Sequence, residues 1–337
     1  MAVKKVSLRK PFLSVGAILL ILGASFLWMP GLNTSSRSTK LVVHRGMGYR
    51  SIVGELQRNG SITSTWPVLL TGSILPKLHN IKPGRYTIPP GMSNFALLYF
   101  LHTHPQDEVR ITLPEGLSLE RVAHILSSKL DIDSTEFVAA ASSRPLLRRN
   151  GITAPNAEGY LFPGTYNFAW ASSPQYTAEF LIGRFRKFYT DRLKTAASQQ
   201  GLSETELLSL ASIVEAETPL DLEKPLVASV YLNRLKKKMR LQADPTVQYA
   251  LGGTARHLYY KDLAADSPYN TYRHNGLPPG PICNPGSAAI QAVLNPANTS
   301  FLYFVATGKG GHNFASSLQE HEKNIQNYKR ARRESLR

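Results

Sequence analysis

The stretch Gly201-Leu-Ser-Glu-Thr-Glu-Leu-Leu-Ser-Leu-Ala-Ser-Ile-Val-Glu-Ala-Glu-Thr-Pro219 decides how the carboxyl-terminal part of this chain folds. Ser203 and Glu206 make the Ser-x-x-Glu capping box that opens a helix, and Pro219 requires the helix to end before it. From Leu207 to Val214 nearly every residue is apolar or small, so the helix is covered on almost all sides and belongs inside a domain. Glu215 stands at its buried carboxyl-terminal end. Desolvation and the negative end of the helix dipole both disfavour a charged carboxylate there, which suits a general acid at neutral pH. Glu217 lies two residues on, and positions i and i+2 do not share a helix face. Glu215, directly after Ile213-Val214, is therefore the expected acid, with Glu217 a helper or structural partner. The alternative is a buried glutamate satisfied by Arg234 or another base.

Downstream, Val227–Arg240 reads as a second helix followed by Leu241–Gly253, and Ser267–Gly286 is a long stretch of Pro, Gly, Asn and Tyr with little charge. Loops built from rigid turns and hydroxyl or amide groups suit a polar, uncharged ligand such as a glycan. Ala288–Leu294 reads as a helix, Phe301–Val305 as a strand and Leu318–Arg333 as a basic helix. Upstream, Pro174–Gln200 reads as one helix, apolar on one face and basic on the other. Glu158-Gly-Tyr-Leu-Phe-Pro163 is dense in aromatic and turn residues around a single carboxylate, a composition that fits a sugar groove or a plug between domains.

One pattern recurs nearer the amino terminus. Leu41–Val43, Arg85–Ile88 and Val109–Leu113 are strand-like runs, each followed by a glycine turn at Gly46, Gly91 or Gly116 and then by an amphipathic helix. The unit at Val42–Leu56 resembles the start of a LysM-like module, which binds glycans containing N-acetylglucosamine; a plain packing unit would carry the same apolar positions. Before it, Phe12–Met29 is an uncharged run of 18 residues preceded by Lys4, Lys5, Arg9 and Lys10. As a helix such a run crosses most of a hydrocarbon core about 30 Å thick, and the positive-inside rule keeps the amino terminus in the cytoplasm. A cleaved signal peptide is the alternative, without an A-x-A-like site to support it.

The whole chain has 337 residues, 42% of them hydrophobic, and a formal charge of +16, which draws it toward anionic polymers or surfaces. A single cysteine, Cys283, excludes an intrachain disulfide and a cysteine-rich zinc site. No H-E-x-x-H, C-x-x-C, G-x-S-x-G or Walker pattern occurs, and His102-x-His104 lacks a third clustered ligand, so neither metal nor cofactor is expected. Nucleic acid is disfavoured as a partner, because the anchor would place the folded part outside the cytoplasm. Expected instead is an α+β chain with boundaries at 1–11 (cytoplasmic), 12–29 (transmembrane helix), 30–40 (linker), 41–106 (LysM-like), 107–200 (connecting α/β segment) and 201–337 (catalytic).

Taken in order, Ala211–Thr218, Val227–Leu235, Leu241–Tyr249, Tyr269–Tyr272, Gly276–Ile282, Asn284–Gly286 and Leu302–Val305 resemble the endolytic murein transglycosylase (YceG-like) family. Glu158–Pro163, the anchor and the LysM-like unit match it too. Ala243, Cys283 and Gly164 depart from its pattern. The resemblance implies a single-pass bacterial inner-membrane enzyme with a periplasmic catalytic domain, cutting nascent peptidoglycan strands internally and so terminating their elongation beside cell-wall synthesis proteins. It places Glu215 on the family's catalytic glutamate. That residue would protonate the oxygen leaving C1 of N-acetylmuramic acid and then take the proton of the same sugar's C6 hydroxyl, giving a 1,6-anhydro end without water. Gln242, Asp244, Tyr269, Asn270, Tyr272 and Glu158 are the candidate glycan contacts, although Asp244 before Pro245 could equally cap a helix. The alternative is a membrane-tethered peptidoglycan-binding scaffold in which Glu215 is structural.

Overall fold

The computed structural model describes residues 28–253, 257–308 and 310–335. Apart from Trp28 and Met29, the expected anchor at 12–29 lies outside the described residues, and no helix among these is long and apolar enough to cross a membrane. The described residues divide into two compact units, those up to 109 with 167–172, and 110–166 with those from 173 on.

In the first unit, β1 (Thr39–Val43) pairs antiparallel with β2 (Gly84–Ile88), Leu41 facing Tyr86 and Val43 facing Gly84. Helices α1 (Tyr49–Arg58) and α2 (Trp66–Ile74) lie between the two strands in sequence, and α3 (Asn94–Thr103) follows them. Alternate residues of β1 and β2 and one face of each of α1 and α3 meet in a core of Leu41, Val43, Ile52, Val53, Leu56, Tyr86, Ile88, Leu97 and Leu98. Gly46, Gly91 and Gly116 all have φ between 71° and 79°, so the recurring glycines are the left-handed turns that swing each strand into its helix.

The chain passes between the units within β3 (Glu108–Leu113) and β4 (Gly164–Ala169), which pair as a two-stranded sheet. Between these strands come α4 (Leu119–Ser127), α5 (Ser134–Ala141) and α6 (Arg144–Arg149). After them the expected single helix at 174–200 is two, α7 (Pro174–Phe188) and α8 (Asp191–Gln199). The break falls where Tyr189 leaves helical geometry to stack on Phe185 in the core, and Thr190 restarts the chain in extended conformation.

Helix α9 (Glu204–Glu217) is the hub. Its capping box is complete, and Leu207 to Val214 are all buried, Ser209 and Ser212 included. Around it pack α8, α10 (Lys224–Lys236), α11 (Asp244–Ala250) and α12 (Ser287–Leu294). The strands β5 (Tyr303–Ala306) and β6 (His312–Ala315) form an antiparallel hairpin against α13 (Leu318–Ser335).

Candidate active site

Helix α9 ends in two carboxylates that face different surroundings. Glu215 Oε1 accepts a hydrogen bond from Lys224 Nζ at 3.0 Å, and Oε2 accepts one from the Gly286 backbone N–H at 3.0 Å. The Lys224 side chain is only 2% exposed and also meets Asp221 at 2.8 Å and Glu115 at 3.8 Å. Burial pulls the lysine's pKa down, but its hydrogen bonds with Asp221 and Glu215 outweigh that and leave it raised. Glu115, at the same cluster, is pushed up by burial and then by the charge of Glu215. Both oxygens of Glu215 are thus occupied as acceptors, one by an ammonium and one by a backbone N–H, and neither is left to face a ligand. Sequence reasoning expected Glu215 as the acid; its partner is Lys224, and Arg234 is committed to the carbonyls of Leu302 and Leu241.

Glu217 points into a cavity of about 280 Å³ lined also by Tyr231, Arg234, Leu241, Gln242, Asp244, Tyr272, Phe304 and His321. Tyr231 Oη donates to Glu217 Oε1 at 2.5 Å, and among the described residues no group bonds Oε2. Burial raises the Glu217 pKa to about 7, against the lowering effect of the Tyr231 hydrogen bond and of Arg234; Asp244 adds to the rise. Burial also pushes the Tyr231 phenol well up, so it stays a donor. A carboxyl group poised near neutrality with one oxygen facing a cavity is what general acid–base chemistry requires. Tyr231→Phe is expected to shift the Glu217 titration to higher pH, because the lost hydrogen bond favours the charged form. Carboxyl NMR titration measures it, and an unchanged or lower midpoint would contradict the assignment.

The other candidates separate. Gln242 and Asp244 are exposed and line this cavity. Gln242 has φ 48°, a left-handed conformation unusual for a residue with a Cβ and of the kind that clusters at functional sites. Asp244 is the first residue of α11 and makes no cap bond; its Oδ1 instead accepts from Tyr272 Oη at 2.6 Å. Asp244 and Tyr272 also border a second cavity of about 300 Å³ with His257, Leu258, Tyr259, Tyr260 and Leu263. A third, of about 140 Å³, lies by Ala216, Pro245, Arg121, Gln248 and Tyr249. Tyr269 packs its ring 4.8 Å from that of Tyr249 and so backs this third cavity.

Asn270 and Glu158 are not glycan contacts. Asn270 is fully buried, its Nδ2 donating to the carbonyls of Leu263 and Ala265 and its Oδ1 accepting from the Tyr272 N–H, so it shapes the loop that presents Tyr272. Glu158 is 1% exposed and accepts from the Leu119 N–H at 3.1 Å and from Asn284 Nδ2 at 3.0 Å; burial raises its pKa to about 8. Cys283 is buried too, its thiol pushed up by burial and donating to the Ser212 carbonyl. Sequence reasoning missed Lys224, Tyr231, Asn284 and His321. The lone polar ring of Tyr231 within Val227–Leu232 was a usable signal, since a buried tyrosine hydroxyl needs a partner.

Residues 41–327 match the sequence model of the YceG-like family. The chain is 31% identical over 336 residues to a protein of Bacillus subtilis (strain 168) named endolytic murein transglycosylase, with 92% of this chain and 91% of that protein covered. A Streptococcus pneumoniae protein of the same name is 28% identical over 278 residues, 73% of this chain and 50% of the relative. The crystal structure of a yceG-like protein from Listeria monocytogenes aligns with a TM-score of 0.59 at 28% identity, over 86% of this chain and 99% of that one.

Proposed function

The chain belongs to the YceG-like family, and from that premise we propose what its cavity does. The protein is an endolytic murein transglycosylase: it cleaves the β-1,4 bond between N-acetylmuramic acid and N-acetylglucosamine within a glycan strand and leaves 1,6-anhydro ends. Glu217 is the acid. Its proton goes to the oxygen leaving C1, and the resulting carboxylate takes the proton of the C6 hydroxyl as that oxygen closes on C1. No water enters the balance. The single observation that carries this is the Glu217 carboxyl, raised to about 7 with one oxygen facing the cavity. A scaffold has no use for such a group, because a carboxylate desolvated enough to have its pKa raised costs stability that the Tyr231 hydrogen bond only partly offsets.

A hydrolase flanks the bond with two carboxylates of which one activates water or attacks. In a lytic transglycosylase the attacking hydroxyl belongs to the substrate, and effective molarity for well-oriented intramolecular attack is worth about 7–11 kcal/mol. Asp244, steadied by Tyr272, faces the same cavity and is placed to stabilise oxocarbenium-like charge at C1. Glu215 with Lys224 supports the end of α9 and the start of α12. The cavities on either side of Asp244 and Ala216 supply walls for neighbouring sugars, with Tyr249, Tyr259 and Tyr260 as stacking faces.

Around this centre, the segment at 12–29 anchors the chain in the bacterial inner membrane with the amino terminus cytoplasmic and both folded units periplasmic. The β1–α1–α2–β2 portion is a LysM-like glycan-holding module, and wall-synthesis proteins are neighbours on the nascent strand. These readings rest on the sequence. Mass spectrometry of purified peptidoglycan digested with the full chain tests the activity: products lighter by one water, carrying 1,6-anhydro ends, are expected, whereas reducing ends would mean hydrolysis. Intact strands with folded protein bound would favour the scaffold.

A further inference from the structure

His321 comes to the Glu217 cavity from α13, an element that the sequence presents only as a basic helix. Its ring stacks on Tyr303 of β5, with centroids 5.1 Å apart and planes 21° from parallel. The Arg234 guanidinium from α10 also lies over the Tyr303 ring, 5.4 Å from its centroid, and lines the same cavity. The imidazole Nδ1 is buried and has no hydrogen-bond partner among the described residues. In neutral histidine one nitrogen carries the proton and the other a lone pair. A stranded N–H is the costlier of the two to bury, so the proton belongs on Nε2, the nitrogen left to serve the cavity.

We propose that His321 is a substrate-contacting residue that donates its Nε2–H to an uncharged sugar oxygen in the cavity holding Glu217. The inference rests on the reading of Glu217 as the acid. Its physical content is that the donor must be neutral. Positive charge develops at C1 during cleavage, and an imidazolium would add a second cation to a cavity that the Arg234 guanidinium already borders. The charged and titratable groups around His321 are Glu322 on its own helix and Arg234, Glu217, Asp244, Tyr231 and Tyr272, which line the same cavity. Burial first and then Arg234 lower the histidine pKa, against a smaller opposing effect of Glu322, so the ring is neutral where Glu217 still holds its proton. The pH window for cleavage is then bounded above by loss of the Glu217 proton and below by protonation of His321.

The test uses the full chain on purified peptidoglycan, reading 1,6-anhydro ends across pH. His321→Phe removes the donor and is expected to lower kcat by about tenfold or more, with the thermal midpoint recorded as a check on folding. His321→Gln restores a neutral N–H donor that does not titrate. It is expected to recover most of the turnover and to abolish the acidic limb of the pH profile while leaving the limb near pH 7. Wild-type turnover in folded His321→Phe, or an acidic limb unchanged in His321→Gln, would overturn the proposal. Should the Phe variant not fold, the limb in the Gln variant decides alone. Glu217→Gln run in parallel separates the two readings, since an active Glu217→Gln defeats the assignment of the acid, and an inactive one beside wild-type His321 variants defeats only this inference.

Discussion

Glu217→Gln lowers the rate of 1,6-anhydro end formation by about 10²–10⁴-fold, the contribution of one positioned proton donor and acceptor. The swap is nearly isosteric and keeps an oxygen for the Tyr231 hydroxyl, so folding and strand binding are retained. Glu215→Gln behaves in the opposite way. It removes the negative charge facing the buried Lys224 ammonium and puts an amide NH2 where one of two acceptor oxygens stood, so Lys224 or the Gly286 N–H loses its acceptor; breaking a buried pair costs about 3–5 kcal/mol. The loss falls toward the low end because Asp221 stays at 2.8 Å. Turnover per folded molecule remains close to the wild-type rate while the thermal midpoint drops. Parallel assays with thermal unfolding distinguish the two residues. Inactive but fully stable Glu215→Gln beside active Glu217→Gln would reverse the roles assigned here.

The pH profile follows with a definite sign. The acid must start protonated, so activity falls as pH rises through the Glu217 pKa of about 7. An ordinary carboxyl would have lost its proton well below that, and a rate already declining from pH 5 upward would remove the argument from burial.

Much of this arrangement was legible in the chain. The capping box at Ser203, the buried run to Val214 and the stop at Pro219 fix α9 from local chemistry alone, and the glycines at 46, 91 and 116 mark strand-to-helix turns that the φ angles bear out. That Glu215 and Glu217 face apart also follows from helical periodicity. Which of them meets a cation does not. Lys224 follows a chain reversal beyond Pro219, and Gly286 comes from the start of α12, 71 residues on from Glu215. No local pattern announces that these two donors converge on one carboxylate and leave the other to the cavity. Asn270 and Glu158 misled for a related reason, because polar residues in glycan-suited loops look alike whether they face a ligand or fasten the loop from beneath. His321 lies in the first turn of a helix whose mostly charged and polar sequence conceals one ring turned inward.

Asn284→Ala is the substitution expected to destabilise the fold most. The Asn284 side chain is 1% exposed and makes four hydrogen bonds. Its Oδ1 accepts from the N–H groups of Gly159 and Leu161 at 2.9 and 3.0 Å, and its Nδ2 donates to the Leu117 carbonyl and to Glu158 Oε1 at 2.9 and 3.0 Å. Truncation strands two buried N–H donors, at about 1–3 kcal/mol each, and unmeets a carboxyl oxygen besides. A total of about 4 kcal/mol or more is a large part of the 5–15 kcal/mol by which domains are stable. Denaturant unfolding measures it, and a change within about 0.5 kcal/mol, the range of an ordinary surface substitution, would refute it. Asn284→Asp sharpens the test. It keeps acceptors for Gly159 and Leu161 but sets a carboxylate against Glu158, whose pKa burial has already raised from 4.5 to about 8. A folded-state pKa raised in this way gives stability that is complete below the unfolded value and lost as pH climbs through the folded one. While Glu158 holds a proton it can donate to the new carboxylate; once that proton leaves, two charges face each other in a buried site. Asn284→Asp is therefore tolerated near pH 5 and fails progressively toward pH 8, whereas Asn284→Ala is impaired at both, and a pH-independent loss in the Asp variant would mean that Glu158 is not the group it confronts.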